Sequence, residues 1–299
     1  MIVFRGFSKR FGSHTAVDSL SLEIGRGEAV ALLGPNGSGK TTCLKAAAGL
    51  LRPSAGEVLL GDPPRPAAQP ESREVLSFLP QRVAFPDSLT GLEVVDFYRS
   101  LRRVPEERTT AVMKFASLNG AGARLVGTYS GGMVQRLGLA VALLPQAPVL
   151  LLDEPTAALD PDGLCAFYGL VDQRKAQGRT VLFTSHHLGD VERLADRFAV
   201  LVEGQLVAAL SQRELADRLA DRGVMRLRVA PPPEGLLAAV RGLAPRAVWS
   251  GEELIVPGPA AVRPAVLDRV RQQGAEIRGL TAEEGRLDEL YRELVEKRA

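Results

Sequence analysis

A chain of 299 residues, with 45% hydrophobic and 24% charged residues, can bury a sizeable core and has the composition of a globular protein rather than a disordered one. Its formal net charge of +2 is too small to argue for a nucleic-acid partner on electrostatic grounds. The first residues lack a cationic stretch before a long apolar one, and the apolar runs fall well short of the about 20 residues that a membrane-spanning helix needs. We therefore expect neither a secretory signal nor a membrane crossing.

The beginning of the chain predicts an antiparallel sheet, followed by a strand, a loop and a helix. Residues 1–11 and 16–24 favour strands, because apolar and polar residues partly alternate in the second stretch. Residues 28–50 then contain a short apolar run, a glycine-rich turn and a helix-like segment. The four prolines of residues 61–72 predict a surface loop.

The middle of the chain predicts two helices and two buried strands. Apolar residues recur at helical spacing over residues 90–103 and 106–118. Residues 148–155 and 179–187 contain short apolar runs, which are typical of fully buried parallel strands.

The two cysteines, Cys43 and Cys165, lie far apart and lack metal-ligand spacing. This usage fits a reducing, cytoplasmic setting. We expect both to be small core residues.

The composition shifts near Leu215. Residues 197–210 predict a hairpin-like strand pair around Glu203 and Gly204, and residues 212–222 predict an amphipathic helix. A proline-rich stretch follows, and short strand and helix patterns then alternate to the end of the chain. We predict a large α/β domain over residues 1–215 and a small α+β domain over residues 216–299.

The glycine-rich turn is a complete phosphate-binding loop. The sequence GPNGSGKT matches G-x-x-x-x-G-K-[ST] between an apolar strand and a helix, where backbone N–H groups and the helix dipole attract phosphates. Lys40 would reach the β- and γ-phosphates, and the Thr41 hydroxyl would ligate Mg²⁺. The predicted nucleotide-binding residues of this segment are Gly34, Pro35, Asn36, Gly37, Ser38, Gly39, Lys40, Thr41 and Thr42.

Two acidic residues end the first of the buried strands. Asp153 would hold Mg²⁺, as aspartates at strand ends do in phosphate-loop NTPases. Glu154 is then available to orient or deprotonate the attacking water.

Two further polar residues follow apolar runs. His186 comes after the second buried strand and can reach the crevice where open α/β sheets bind ligands, so we assign it the γ-phosphate. Gln81 ends a short apolar stretch and could contact Mg²⁺ or water, although a lone glutamine before a loop has no function of this kind in most proteins.

A second phosphate-facing turn lies at Ser130, Gly131 and Gly132, where two glycines beside a serine run into an apolar helix. Taken together, GPNGSGKT, Gln81, YSGGM, VLLLDEP, AALD and SHH occur in the order and spacing of ATP-binding cassette (ABC) nucleotide-binding domains. Residues 1–215 therefore resemble this family. The resemblance implies a RecA-like P-loop core with an antiparallel β-subdomain and a helical subdomain, here followed by the small α+β domain with a regulatory or dimerisation role.

The resemblance also assigns residues that the local patterns do not. It implies a head-to-tail dimer in which the turn at Ser130 binds the γ-phosphate of ATP held by the other subunit's Lys40. Phe11 resembles the aromatic residue that stacks on adenine, and Asp160 resembles the loop residue that links the two sites. The stretch YSGGM corresponds to the signature motif of the family, in which Leu and Gln are commoner at the positions of Tyr129 and Met133. The Ser-Gly-Gly of the motif is present.

As an ABC protein, the chain would bind and hydrolyse ATP with Mg²⁺ and drive a separate membrane permease from the cytoplasmic face, with no nucleic-acid partner. Its C-terminal part resembles that of ATPases of type-2 exporters. The stretch YSGGMVQRLGLAVALL and the C-terminal part together also resemble the ATPase that assists copper-site assembly in nitrous oxide reductase. Residues 83–101 resemble the region that receives the permease's coupling helix, although an ordinary amphipathic surface helix would have the same pattern.

Two other roles are open to an ABC protein. Soluble members act in translation or DNA maintenance, but they usually carry two cassettes or a long coiled coil before the signature, and neither feature occurs here. An inactive, structural cassette is disfavoured because Lys40, Asp153, Glu154 and His186 are all present.

Overall fold

The structure of the chain, a computed structural model, describes residues 1–157, 159–230 and 233–296. Three segments with sequence predictions extend beyond these ranges: the AALD motif at Ala158, the proline-rich stretch at 231–232 and the end of the alternating strand and helix patterns at 297–299. Contacts divide the chain into two compact units, of which the first comprises Met1–Ala209 and the second begins at Leu210.

The chain up to residue 211 contains ten strands and six helices within the described residues, besides short 3₁₀ turns. In order they are β1 (Ile2–Phe11), β2 (His14–Ile24), β3 (Ala29–Leu33), α1 (Lys40–Ala47), β4 (Ala55–Leu60), β5 (Arg65–Pro66), β6 (Leu76–Leu79), α2 (Gly91–Leu101), α3 (Glu107–Phe115), α4 (Gly131–Leu143), β7 (Val149–Asp153), α5 (Pro161–Ala176), β8 (Thr180–Thr184), α6 (Leu188–Leu194), β9 (Arg197–Val202) and β10 (Gln205–Ser211).

These strands form two sheets. The first is antiparallel and has the order β2-β1-β4-β5. The second has the order β10-β9-β3-β8-β7-β6, and its neighbouring strands from β9 to β6 are parallel. Strands β3, β7 and β8 are buried at every position, which explains their unbroken apolar runs in the sequence. One core contains Phe4 from the first sheet, Leu151 from the second and Leu44 from α1.

The structure refines three local predictions. Residues 61–72 lie mostly at the surface, as predicted, although β5 pairs with β4 and Ala67 is 3% exposed. The middle section contains the two predicted helices, which end somewhat earlier because Arg103 and Ser117 adopt positive φ angles of 53° just beyond α2 and α3.

Only one cysteine lies in the core. Cys43 is buried, as predicted, and burial raises the pKa of its thiol. The prediction for Cys165 was wrong, because this residue is exposed. Helix α5 packs through Phe167 and Val171, whose spacing of four places them on one face, and Cys165 lies on another.

The second unit has eight further elements within its described residues, apart from a 3₁₀ turn. They are α7 (Gln212–Ala220), β11 (Val224–Ala230), α8 (Leu236–Arg241), β12 (Val248–Ser250), β13 (Glu253–Pro257), α9 (Arg263–Gln272), β14 (Glu276–Glu283) and α10 (Leu287–Glu296). The order β12-β13-β11-β14, with all neighbours antiparallel, gives the β-α-β-β-α-β arrangement called ferredoxin-like. Leu227, Leu254 and Val266 belong to a core of its own.

None of the helices in the described part of the chain combines the length and apolar character needed to cross a membrane.

Candidate nucleotide-binding and hydrolysis site

The phosphate loop connects the end of β3 to the start of α1. Gly34 and Gly39 have φ angles of 151° and 100°, which side chains with a Cβ rarely adopt. A Cβ would overlap the carbonyl oxygen of Leu201 at the first position and would lie 2.5 Å from that of Ala16 at the second. The two glycines are therefore required by the close approach of neighbouring backbone.

A cavity of about 490 Å³ opens beside this loop. Its described lining residues are Phe11, His14, Ala16, Asn36, Gly37, Ser38, Gly39, Lys40, Thr41, Thr42, Gln81 and Glu154. Most of these were predicted from the sequence, but His14 and Ala16 were missed because no short motif marks them. They reach the cavity because β2 pairs with β1, which places His14 directly opposite Phe11.

Phe11 lies at the rim of the cavity and is 48% exposed, so one face of its ring is available for stacking. The Nζ atom of Lys9 lies 5.1 Å from the ring centroid, within the range of a cation–π contact.

Lys40 is the cation of the loop and is buried, with 7% exposure. Its Nζ donates to the carbonyl oxygens of Gly34 at 2.7 Å and Pro35 at 2.9 Å. Burial lowers the pKa of the ammonium group, while the carboxylates of Glu154 and Asp153 oppose that shift. The acidic residues at the end of β7 therefore act electrostatically on the phosphate-loop lysine.

Asp153 ends β7 and is almost fully buried. Its Oδ1 accepts a hydrogen bond of 2.7 Å from Thr184 Oγ1, whereas Oδ2 is buried and has no hydrogen-bond partner in the described part of the chain. A buried carboxylate oxygen without a hydrogen-bond partner costs free energy unless a ligand or ion binds to it. This donor fits a Mg²⁺ ion, which typically takes one or two carboxylates together with phosphate and water oxygens.

Glu154 has a φ angle of 54°, in the left-handed region that non-glycine residues rarely adopt. Its backbone N–H donates to Thr184 Oγ1 at 2.9 Å, which holds this conformation. Its Oε1 lies 2.9 Å from Gln81 Nε2 and 2.6 Å from His186 Nε2. Three residues that the sequence assigned separately therefore meet at one carboxylate oxygen.

Thr184 was missed by sequence reasoning. Its single buried hydroxyl donates to Asp153 and accepts from the N–H of Glu154, so it fixes both acidic residues at once. The available signal was its place at the end of the apolar run TVLFT, but a strand-end threonine by itself is too common to be diagnostic.

The second phosphate-facing turn lies at the start of α4. Ser130 is exposed and caps α4, where its Oγ accepts from the N–H of Met133 at 3.3 Å. Asp160 caps α5 and lies 3.9 Å from Arg136 Nη1. The described lining of the nucleotide cavity does not include Ser130, Gly131, Gly132 or Asp160.

Tyr129, one of the two departures from the commoner signature, has a structural explanation. Its hydroxyl donates to the carbonyl oxygen of Ala121 at 2.8 Å and lies against Gly91, at the start of α2. The tyrosine thus ties the signature turn to the helical segment before it.

Comparison with known proteins identifies the family of the chain. Residues 17–157 match the family described as ABC transporter. The chain is 34% identical to Nod factor export ATP-binding protein I of Burkholderia orbicola, with 88% of each chain covered. It is 32% identical to a daunorubicin resistance ATP-binding protein of Streptomyces coeruleorubidus, over 97% of this chain and 94% of that one. A linearmycin resistance ATP-binding protein of Bacillus subtilis is 29% identical over 82% and 80%.

Solved structures give the same result. The chain resembles the ATP-binding subunit of an ABC transporter with a TM-score of 0.67 and 25% identity, over 73% of this chain and 92% of that one. It also resembles a dimeric ATP-binding cassette in a post-hydrolysis state, bound to ADP and Pi, with a TM-score of 0.65 and 26% identity over 71% and 99%. These likenesses confirm the α/β fold with a RecA-like P-loop core. The chain belongs to the ABC transporter family and is an ATP-binding, ATP-hydrolysing subunit of a membrane ABC transporter.

Proposed function

We propose that this ATPase works as a head-to-tail dimer of two copies, with ATP and Mg²⁺ between them, and that it drives a separate permease of the exporter type. The names of the relatives, which concern linearmycin resistance, daunorubicin resistance and Nod factor export, support the exporter type. The dimeric solved cassette supports the assembly.

One observation supports the proposed dimer. The turn at Ser130, Gly131 and Gly132 begins α4, and the N-terminus of a helix attracts anions. The described lining of this chain's own cavity does not include the turn, so we propose that its glycine N–H groups bind the γ-phosphate held by a second copy. Asp160, exposed at the start of α5, would connect the two sites.

Within each site the roles follow from position. Lys40 neutralises the β- and γ-phosphates, Glu154 accepts a proton from the attacking water, and His186 contacts the γ-phosphate. Phe11 stacks on adenine. The residues that would hold Mg²⁺ are Thr41, Asp153 and Gln81, and the ion would neutralise charge on the phosphate oxygens.

The permease would dock on the surface around α2. Phe97 and Leu101 are 60% and 65% exposed, and Leu50 is 60% exposed. Leu50 and Leu101 line a groove of about 350 Å³ whose wall includes Phe78. Exposed large apolar side chains that share a groove are typical of protein-binding surfaces. We therefore propose that a cytoplasmic helix of the permease binds here and holds the chain at the cytoplasmic face of the plasma membrane.

The Leu50→Asp, Leu101→Asp double variant tests this docking surface. We expect it to lose co-purification with the permease from detergent extracts, since two carboxylates would be buried in an apolar contact, while ATPase activity of the isolated chain is unchanged. The partner is identified by mass spectrometry. Val248→Asp, at a position 42% exposed in the second unit, is the matched control. Undiminished recovery of the permease with the double variant would place the contact elsewhere.

The copper-assembly subtype remains a prediction, because the names of the relatives concern resistance and Nod factor export. A soluble role in translation or DNA maintenance is the alternative that recovery of a permease would exclude.

We further propose that residues 216–299 form a separable domain with a regulatory or dimerisation role. Its support is the separate core around Leu227 and Leu254. A chain that ends near Arg218 should keep ATP binding, measured by fluorescence titration with a labelled nucleotide, because no residue of the nucleotide cavity is removed. Loss of the cooperative unfolding transition in the shortened chain would contradict this boundary.

A further inference from the structure

Asp190, in α6, is a buried carboxylate that neither the motifs nor the proposed mechanism uses. It is 4% exposed and accepts three side-chain hydrogen bonds. The donors are Thr156 Oγ1 at 2.7 Å, Ser185 Oγ at 2.8 Å and the Tyr168 hydroxyl at 2.7 Å. All three are neutral hydroxyl groups, so this carboxylate is stabilised by directed hydrogen bonds from three segments of the chain.

One of these bonds fixes the turn that carries His186. Ser185 is 4% exposed, and its Oγ donates to Asp190 while accepting from the backbone N–H of His187 at 3.0 Å. The residues on both sides of His186 are therefore tied to the same carboxylate. His186 itself is 43% exposed on its side chain and depends on this turn for its place beside Glu154.

A second bond fixes the segment after Glu154. Thr156 follows Glu154 by two residues, is 9% exposed and donates to the same Oδ2 atom as Ser185. Asp190 thus connects the backbone next to Glu154 with the backbone next to His186. These are the two groups whose side chains lie 2.6 Å apart.

The third bond anchors the carboxylate to α5. Burial, together with the hydrogen bond to Asp190, raises the pKa of Tyr168 to about 12. The phenol therefore keeps its proton at neutral pH and remains a donor.

We infer that Asp190 is a positioning residue for ATP hydrolysis: it sets the distance between Glu154 and His186 by holding the turns that carry them. The inference rests on the proposed roles of these two residues. A small displacement of a reacting group can cost about 10²-fold in rate, because the productive geometry is narrow. The loss should appear in kcat, since the phosphate loop and the adenine-stacking residue are untouched.

The test is a double-mutant cycle on the full chain with His186→Ala, measuring steady-state kcat and KM for ATP. Asp190→Asn and, separately, Ser185→Ala should each lower kcat by about 10- to 100-fold with KM unchanged, the size of loss seen when a hydrogen-bond partner that orients a metal-binding side chain is removed. In the His186→Ala background Ser185→Ala should not lower kcat further, since the turn that Ser185 holds no longer carries the histidine. Asp190→Asn should still lower kcat there, but by a smaller factor, because it also frees the segment after Glu154 from its bond through Thr156. Ser185→Ala removes only one hydroxyl and serves if Asp190→Asn fails to fold.

Asp172→Asn is the matched control. It removes a carboxylate whose ion pair of 2.7 Å joins α5 to Arg193 of α6 rather than to Ser185 or His187, and should leave kcat unchanged. An equal loss of kcat from Ser185→Ala with and without His186 would show a merely structural role and overturn the inference. Full activity of Ser185→Ala and Asp190→Asn, with His186→Ala impaired, would overturn it as well. Full activity of His186→Ala would instead refute the proposed role of His186, and this inference with it.

Discussion

Lys40→Ala is expected to lower ATP turnover by about a hundredfold or more while the protein remains folded. The ammonium group is the cation of the phosphate loop, and removing one donor of this kind from a transition state typically costs about 3–4 kcal/mol. The lysine makes only two hydrogen bonds to loop carbonyls in the structure, at Gly34 and Pro35, so its loss should cost little stability. The measurement is steady-state phosphate release, with circular dichroism to verify folding.

Lys45→Ala is the matched control, because Lys45 lies in the last turn of the same helix and is exposed. It removes the same charge from the same element and should retain normal turnover. Near-normal turnover of Lys40→Ala would mean that the phosphates bind elsewhere, and the assignment of the cavity would be wrong.

Glu154→Gln is expected to slow hydrolysis by about 10²–10⁴-fold and to trap an ATP-bound dimer. The change keeps the shape of the side chain but removes the base that accepts a proton from water. An amide can still lie against Gln81 and His186, the two neighbours of the carboxylate. ATP binding should therefore survive the loss of chemistry.

The ATP-bound dimer is expected to accumulate because of the energy that bound ATP contributes to closing the two copies. Shifting an open–closed equilibrium from 1:99 to 99:1 takes about 5.5 kcal/mol of differential binding. Two ATP molecules, each with charge-assisted contacts to Lys40 of one copy and the Ser130 turn of the other, can supply energy of that order. Without hydrolysis the γ-phosphates remain, and the dimer should accumulate. Size exclusion coupled to light scattering, with ATP and either Mg²⁺ or Na⁺, measures it.

Adding Ser130→Arg to Glu154→Gln should abolish this dimer, since a long side chain would fill the exposed turn at the start of α4. Ser100→Arg, at an exposed position in α2, is the matched control and should leave the dimer intact. ATP-dependent dimers that persist with Ser130→Arg would show that this turn does not face the partner's nucleotide, and the head-to-tail arrangement would have to be abandoned.

The sequence by itself determined the phosphate loop, the acidic residues after β7 and the fold class. These features depend on local chemistry: Gly34 and Gly39 permit backbone angles that other residues avoid, and a fully buried parallel strand needs an unbroken apolar run. The position of His186 after the next buried strand predicted its role, whereas the ABC resemblance assigned Phe11, which lies in the cavity wall, and Asp160, which is absent from the described lining.

The tertiary structure decided which distant side chains meet. The parallel register of β7 and β8 pairs Asp153 with Thr184, and only this pairing brings His186 to 2.6 Å from Glu154. The same packing brings Asp190 within hydrogen-bond distance of both Thr156 and Ser185, and it leaves Cys165 exposed. Strand register and helix rotation result from burial summed over many side chains far apart in the chain, so no short segment of the sequence specifies them.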